Sequence, residues 1–296
     1  MILKRTISVL LLTFNEEIHL ERCIQNVQKL SSEIFIIDSY STDNTLEIAE
    51  KYQIPVYQHK FIHHANQINQ ALEVYPYESD YIIRVDCDEL LSDELIDEIK
   101  VCLEDDSFIS FNGFYMRRKV FFMGGLLHYG MTNPMWLLRI WKRGEGKCDD
   151  KWMDEKIVIE HPNTYQLKHL IIDHNLNNLT WWTQKHNLYA SREAMEVLRH
   201  RYIPSVPNNK DLPWIDSIIH YSKTFYNKSP IFVRSILLFH YSYFFRLGFM
   251  DGLRGLMWNI LQVFWYRFLV DAKVYEFENL YKFDKIRIRE ELKKII

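Results

Sequence analysis

Residues 7–13 form a short, almost unbroken apolar run from Ile7 to Leu12, interrupted only by Ser8 and closed by Thr13. That continuity predicts a strand covered on both faces, as in a parallel sheet. Asn15 can cap a following helix, Glu16 and Glu17 suit its first turn, and Ile18, Cys23, Ile24 and Val27 keep helical spacing to about residue 29. A second apolar run over 33–38 ends in Asp38, then a polar loop reaches Asp43 and a helix continues to Tyr52. A short third strand is predicted at 55–57, a helix at 65–74, a fourth strand at 81–86 and an amphipathic helix at 93–103. Alternation at this spacing implies βαβ units and a mostly parallel sheet in an α/β fold. Right-handed crossovers bring the C-terminal strand ends to one edge, where such sheets bind ligands. Thr13, Asn15, Asp38, Asp43, Asp86 and Asp88 all fall there.

From about 112 to 160 the chain reads as strands, with glycines at 124, 125, 144 and 146; from about 179 it is helical and rich in aromatics. Pro204, Pro207, Pro213 and Pro230 mark loops between those helices. We therefore expect a catalytic domain over 1–178 and an α-helical region over 179–296. The 296 residues are 48% hydrophobic, enough for a large core, and a net charge of -3 gives no electrostatic case for nucleic acid. Cys23, Cys87, Cys102 and Cys148 form no C-x-x-C pair and suggest reduced thiols. The N-terminal apolar stretch is too short for a signal peptide, so a cytoplasmic setting is expected.

Asp86 and Asp88 alternate along the strand, so both carboxylates can point to one side with Cys87 turned away. Two close carboxylates repel unless neutralised. Mg²⁺ or Mn²⁺ suits such a pair, because these ions accept one or two carboxylates plus phosphate oxygens. An isolated D-x-D is more often a solvated acidic turn; here it ends an apolar strand beside other acidic loops.

Thr13, Phe14, Asn15 and Glu16, then Asp38 through Thr45, then Arg84 through Glu89 together resemble the family 2 glycosyltransferases of GT-A fold. The chain is similar to the branch that builds lipopolysaccharide core, capsule or exopolysaccharide. The likeness continues through Trp152 to Glu155, Asp173 to Asn175 and Leu247 to Gly252. It implies an inverting, metal-dependent transferase that takes a nucleotide sugar, UDP-linked first, to a saccharide or lipid-linked acceptor. It places Thr13, Asn15 and Glu16 along the nucleotide and Asp38 against the uracil or ribose, with Ser39, Ser41 and Asp43 shaping the loop. These last three are equally turn formers. Asn66 and Asn69 sit where the family has polar residues facing the nucleotide, or are solvated helix positions. Arg84 borders the metal motif, or balances local acid.

Single displacement needs a base at the acceptor hydroxyl. The resemblance points to Glu155, with Asp154 second; a surface pair with Lys151 or Lys156 is the plain alternative. His161, His169, His174 and His186 lack compact zinc spacing. His174 and His186 could contact phosphate or orient the acceptor loop, or simply pack. Arg117, Arg118 and Arg139 are candidate phosphate contacts or structural partners. Residues 231–270 interleave aromatics with Arg234, Arg246, Arg254 and Arg267, without an 18-residue apolar span. They suit helices lying in a membrane interface, or an annex packed on itself, so contact with the inner face of the cytoplasmic membrane is expected. Gly248, Gly252 and Gly255 suggest a helix break or a close backbone approach. Two other functions compete. A sugar nucleotidyltransferase would carry a Gly-rich loop after the first strand, and none is present before Gly113. A membrane-associated scaffold that kept the fold without catalysis would have a degraded metal motif.

Overall fold

The computed structural model describes residues 4–131, 135–149, 156–203 and 229–295. Two compact units divide the chain: residues 1–128 with 132–177, and residues 129–131 with 178–296.

The first unit opens with β1 (Ile7–Thr13), α1 (Leu20–Val27), β2 (Ile34–Asp38), α2 (Thr45–Lys51), β3 (Val56–Gln58), α3 (His64–Val74) and β4 (Tyr81–Asp86). It continues with β5 (Glu89–Leu91), α4 (Asp93–Glu104), β6 (Gly113–Phe122), β7 (Gly125–Leu126), β8 (Met135–Lys142), β9 (Gly146–Cys148), β10 (Ile157–Ile159) and β11 (Thr164–Asp173). The main sheet runs β3-β2-β1-β4-β8-β6-β11-β5, with β7 beside β6 and a separate β9–β10 pair. Strands β3, β2, β1 and β4 are parallel, as the alternating pattern predicts. Beyond β4 the sheet is mixed: β8 is antiparallel to both β4 and β6, β11 is parallel to β6, and β5 is antiparallel to β11.

The continuous apolar runs exist because both sheet faces are covered. Val9, Leu11, Ile36, Ile83 and Val85 join α1 and α4 in one core. Leu10, Ile37 and Ile82 point the other way, to Ile68 and Ala71 of α3 and to Trp141. Helix α4 starts where expected, with Ser92 Oγ accepting from Leu95 N at 3.2 Å and Asp93 and Glu94 in its first turn. The start of α1 differs. Asn15 does not cap it; the backbone there is left-handed, with φ 56°, and its side-chain oxygen accepts from Thr42 N at 2.8 Å. The helix begins only at Leu20.

The second unit contains α5 (Leu179–Tyr202), α6 (Val233–His240), α7 (Gly252–Trp258), α8 (Tyr266–Leu280) and α9 (Lys285–Ile295). Ala190, Ala194 and Leu198 of α5 pack on Tyr266, Val270 and Val274 of α8 and on Ile288 and Leu292 of α9. Arg234 and Asp271 form a buried pair, the Arg234 Nε lying 2.8 Å from Asp271 Oδ1. The glycine expectation holds: Gly252 has φ 63°, and a Cβ on Gly255 would sit 2.1 Å from the Gly248 carbonyl oxygen. No helix of the described residues is long and apolar enough to cross a membrane.

Candidate active site

Register alone assembles the edge. Thr13 pairs with Asp38 across β1–β2, and Leu12 pairs with Asp86 across β1–β4. Asp38 and Asp86 therefore flank β1 from either side, two strand spacings or roughly 10 Å apart.

Asp38 is fully buried and organises the loops after β1 and β2. It accepts from Thr13 Oγ1 at 2.8 Å, Ser41 N at 2.9 Å, Ser41 Oγ at 2.5 Å and Gln58 Nε2 at 3.1 Å. Its expected contact with a base or ribose is not available in this arrangement, because four donors already occupy both oxygens. Asp38 holds the loop, and the groups it leaves outward belong to its neighbours. Asn15 N donates to Ser41 Oγ at 2.9 Å, and Glu16 N to Thr45 Oγ1 at 2.8 Å. Ser39 is buried and accepts from Gln67 Nε2. Asp43 caps the same turn through Thr45 N and Glu17 N. Burial works to raise its carboxyl, but the Thr45 hydroxyl and these N–H groups outweigh that and lower it. Two aromatic rings of the same motifs, which had no role assigned, stand open on these loops: Phe14 and Tyr40 are both more than half exposed.

Asn69 corrects an expectation. Its Nδ2 donates to the Cys148 carbonyl at 3.0 Å while its Oδ1 accepts from Cys148 N at 2.8 Å. Both ends of the amide tie α3 to β9, which gives Asn69 a structural role in place of the expected nucleotide contact. Asn66 instead pairs its Oδ1 with His59 Nε2 at 2.9 Å.

At the D-x-D the two aspartates part company. Asp86 meets Arg84 Nε at 3.0 Å and Arg139 Nη2 at 2.9 Å. Burial works to raise its carboxyl, yet Arg139 and Arg84 hold it well below the usual carboxylate range. Its charge is thus neutralised by guanidinium groups rather than left for a cation, a departure from the expected matched pair. Arg139 Nη2 also lies 2.9 Å from Oε1 of the fully buried Glu89, whose Oε2 accepts from Asp86 N at 3.0 Å. Burial pushes the Glu89 carboxyl up to about 7 against the pull of Arg139, with Asp86 adding to the rise. Arg118 lies 3.3 Å from the same Glu89 oxygen and also pairs with Asp173. Of the two roles open to Arg118 and Arg139, phosphate contact and structural pairing, both take the second in this ion network.

Asp88 is half-buried and, among the described residues, makes no direct salt bridge. Its Oδ2 accepts from Asn175 Nδ2 at 2.9 Å and its carbonyl from His174 N at 2.8 Å. Among the described residues no cluster of three or more His, Cys, Asp or Glu side chains could hold a metal. This donor set fits Mg²⁺ or Mn²⁺ held by one carboxylate, with phosphate oxygens and water completing the shell; it does not fit an all-protein cage. Arg22 donates to His174 Nδ1 at 3.1 Å and to its carbonyl at 2.7 Å. Burial, then Arg22 and His19, lower the His174 pKa. His169 pairs with Glu98, and His186 stacks on Trp182. Asp154 and Glu155 lie outside the described residues.

A mixed α/β sheet with a polar loop cluster and a half-buried D-x-D carboxylate at one edge defines a domain of GT-A type. The family described as Glycosyl transferase family 2 matches residues 8–161, and the chain belongs to it. An uncharacterised glycosyltransferase of Rickettsia bellii is 35% identical over 99 residues, 33% of this chain and 33% of that one. One from Rickettsia conorii is 35% identical over 98 residues, 33% and 34% of the two chains. The match spans about a third of these relatives' length. Among solved structures, a mannosyltransferase from Pyrobaculum calidifontis, in complex with GDP-Man and Mn²⁺, superposes with a TM-score of 0.51 at 14% identity. The superposition covers 92% of this chain and 87% of that one, and it shows a shared fold.

Proposed function

We propose that the chain moves a sugar from a nucleoside diphosphate donor, UDP-linked first, to a saccharide or lipid-linked acceptor, with inversion and with Mg²⁺ or Mn²⁺. The observation that carries this reading is Asp88: a half-buried carboxylate, one oxygen held by Asn175, at the edge where Thr13 pairs with Asp38 and Leu12 with Asp86. The Asn15–Glu16 and Ser39–Asp43 loops, braced by Asp38, orient the nucleotide. Glu155, with Asp154 as the second candidate, removes the acceptor hydroxyl proton. A bound cation supplies charge stabilisation on the departing diphosphate. The Mn²⁺ bound by the Pyrobaculum neighbour supports the choice of metal, and its GDP-Man makes guanosine the second donor base to try. A role in lipopolysaccharide or exopolysaccharide synthesis rests on the motif likeness, from Thr13 to Gly252.

Calorimetry with UDP and GDP, with and without Mn²⁺, tests the reading. UDP should bind at least about tenfold more tightly with Mn²⁺, a 1.4 kcal/mol effect. Equal binding with and without metal removes the metal. No binding of either nucleotide refutes transfer and favours a non-catalytic scaffold.

The acceptor side carries a membrane proposal. On the stretch from α6 to α7, Leu237, Tyr241, Phe244 and Phe249 are well exposed, Phe245 is 78% exposed and Leu253 70%. Arg246 and Arg254 are exposed among them. An apolar face flanked by cations suits the interface of an anionic bilayer at the cytoplasmic side, where lipid-linked acceptors reside. The protein should float with anionic liposomes, and Phe245→Ser with Leu253→Ser should return it to the bottom of the gradient. Full-length protein that never floats refutes the contact.

A further inference from the structure

The segment that leaves β11 touches both the D-x-D turn and the loop after β1. Asp173 pairs with Arg118. His174 N donates to the Asp88 carbonyl at 2.8 Å. Asn175 Nδ2 donates to Asp88 Oδ2 at 2.9 Å. Leu176 N donates to His19 Nε2 at 2.9 Å, which leaves the proton on Nδ1, 2.6 Å from Glu16 Oε2. Three consecutive residues, His174 to Leu176, thus brace the D-x-D turn on one side and the loop after β1 on the other, while Asp173 before them ties to Arg118 of β6.

Within that run the Asn175 amide is oriented by its own turn. Asn177 N donates to Asn175 Oδ1 at 2.9 Å. That bond fixes which end is oxygen, so the NH₂ group is the end that faces Asp88. Asp88 is held twice, at its backbone carbonyl by His174 N and at one carboxylate oxygen by Asn175. Its other oxygen accepts no hydrogen bond among the described residues and can act as a hard donor. Outer partners that orient a ligating group raise metal affinity by removing the cost of ordering it.

We infer that Asn175 is a positioning residue for the metal: its Asx-turn amide fixes the Asp88 carboxylate with one oxygen presented to a divalent cation. This rests on the proposal that Asp88 holds the cation. Asn175 touches neither donor nor acceptor and acts only through Asp88. Its loss therefore weakens the metal without altering how the loops braced by Asp38 and His19 meet the nucleotide.

The test is a Mn²⁺ titration at saturating UDP, read by calorimetry, on the whole chain and on Asn175→Leu, Asn175→Ala and Asp88→Asn. Either Asn175 variant should raise the Mn²⁺ Kd about 10- to 100-fold. UDP affinity without metal should stay unchanged, and kcat at saturating Mn²⁺ should return to within a few-fold of normal. The alanine variant cannot clash and serves if the leucine variant does not fold. A purely structural role would lower the thermal midpoint and leave the Mn²⁺ Kd unmoved. If Asp88→Asn loses the metal while both Asn175 variants keep normal affinity, the Asn175 role is wrong and the metal reading survives. If Asp88→Asn binds Mn²⁺ normally, the metal reading itself fails and takes this inference with it.

Discussion

Replacing Asp88 by asparagine should cut turnover at least about 10³-fold, the equivalent of losing several kcal/mol of metal-borne charge stabilisation. The thermal midpoint should move by less than about 2 °C, because changes outside buried networks stay within about 0.5 kcal/mol. Asp88 is half-buried, forms no salt bridge among the described residues, and meets Asn175 through an oxygen that asparagine retains. Activity and stability separate here because the site keeps this carboxylate out of the ion network that occupies Asp86. Glu155→Gln supplies the contrast: it should also lose turnover, yet keep Mn²⁺-dependent UDP binding, since a base acts on the acceptor. Normal turnover by Asp88→Asn would end the metal assignment. A dead Asp154→Asn beside an active Glu155→Gln would make Asp154 the base.

How far the chain could be read without coordinates depended on the range of the interactions involved. Strands β1, β2 and β4 were legible because burial on both faces leaves an uninterrupted apolar run, and the edge they share follows from the parallel connection. In the mixed half the strand character over 112–160 was legible but not the bounds or the pairing: β6 carries Arg117, Arg118 and Lys119 on half-buried positions, and β8 has several half-buried positions of its own, so neither shows a clean period. Side-chain roles were legible in type and less so in partner. A carboxylate ending a strand reads as a ligand contact, but Asp38 spends its lone pairs on Thr13, Ser41 and Gln58. An amide following a strand reads as facing the nucleotide, but Asn69 is claimed by a backbone 79 positions away. Asn175 was visible only as part of a family motif. Its meaning comes from Asp88, 87 positions earlier, and from an Asx turn that fixes which end of the amide faces it.

The same long-range pairing makes Arg139→Met the change with the largest expected cost in stability. Arg139 is almost wholly buried, and a single nitrogen serves both Asp86 and Glu89. Among the described residues Glu89 then keeps only Arg118, at 3.3 Å, as an ion partner, and Asp86 keeps only Arg84. Removing one member of a buried ion pair costs about 3–5 kcal/mol, chiefly because the abandoned charge stays out of water. For a unit of this size that is about 10 °C in the thermal midpoint. The cause can be isolated. Glu89→Gln preserves an oxygen to accept from Asp86 N and deletes the abandoned charge, so Arg139→Met with Glu89→Gln should recover more than half of the loss. Thermal denaturation of the two single variants and the double variant closes the cycle. A double variant no more stable than Arg139→Met alone, or a single change costing under about 1 kcal/mol, would mean that packing rather than charge holds the ground beneath the D-x-D turn. Asp86 would then owe its orientation to the strand alone, and the division of labour between the two aspartates would lose its physical basis.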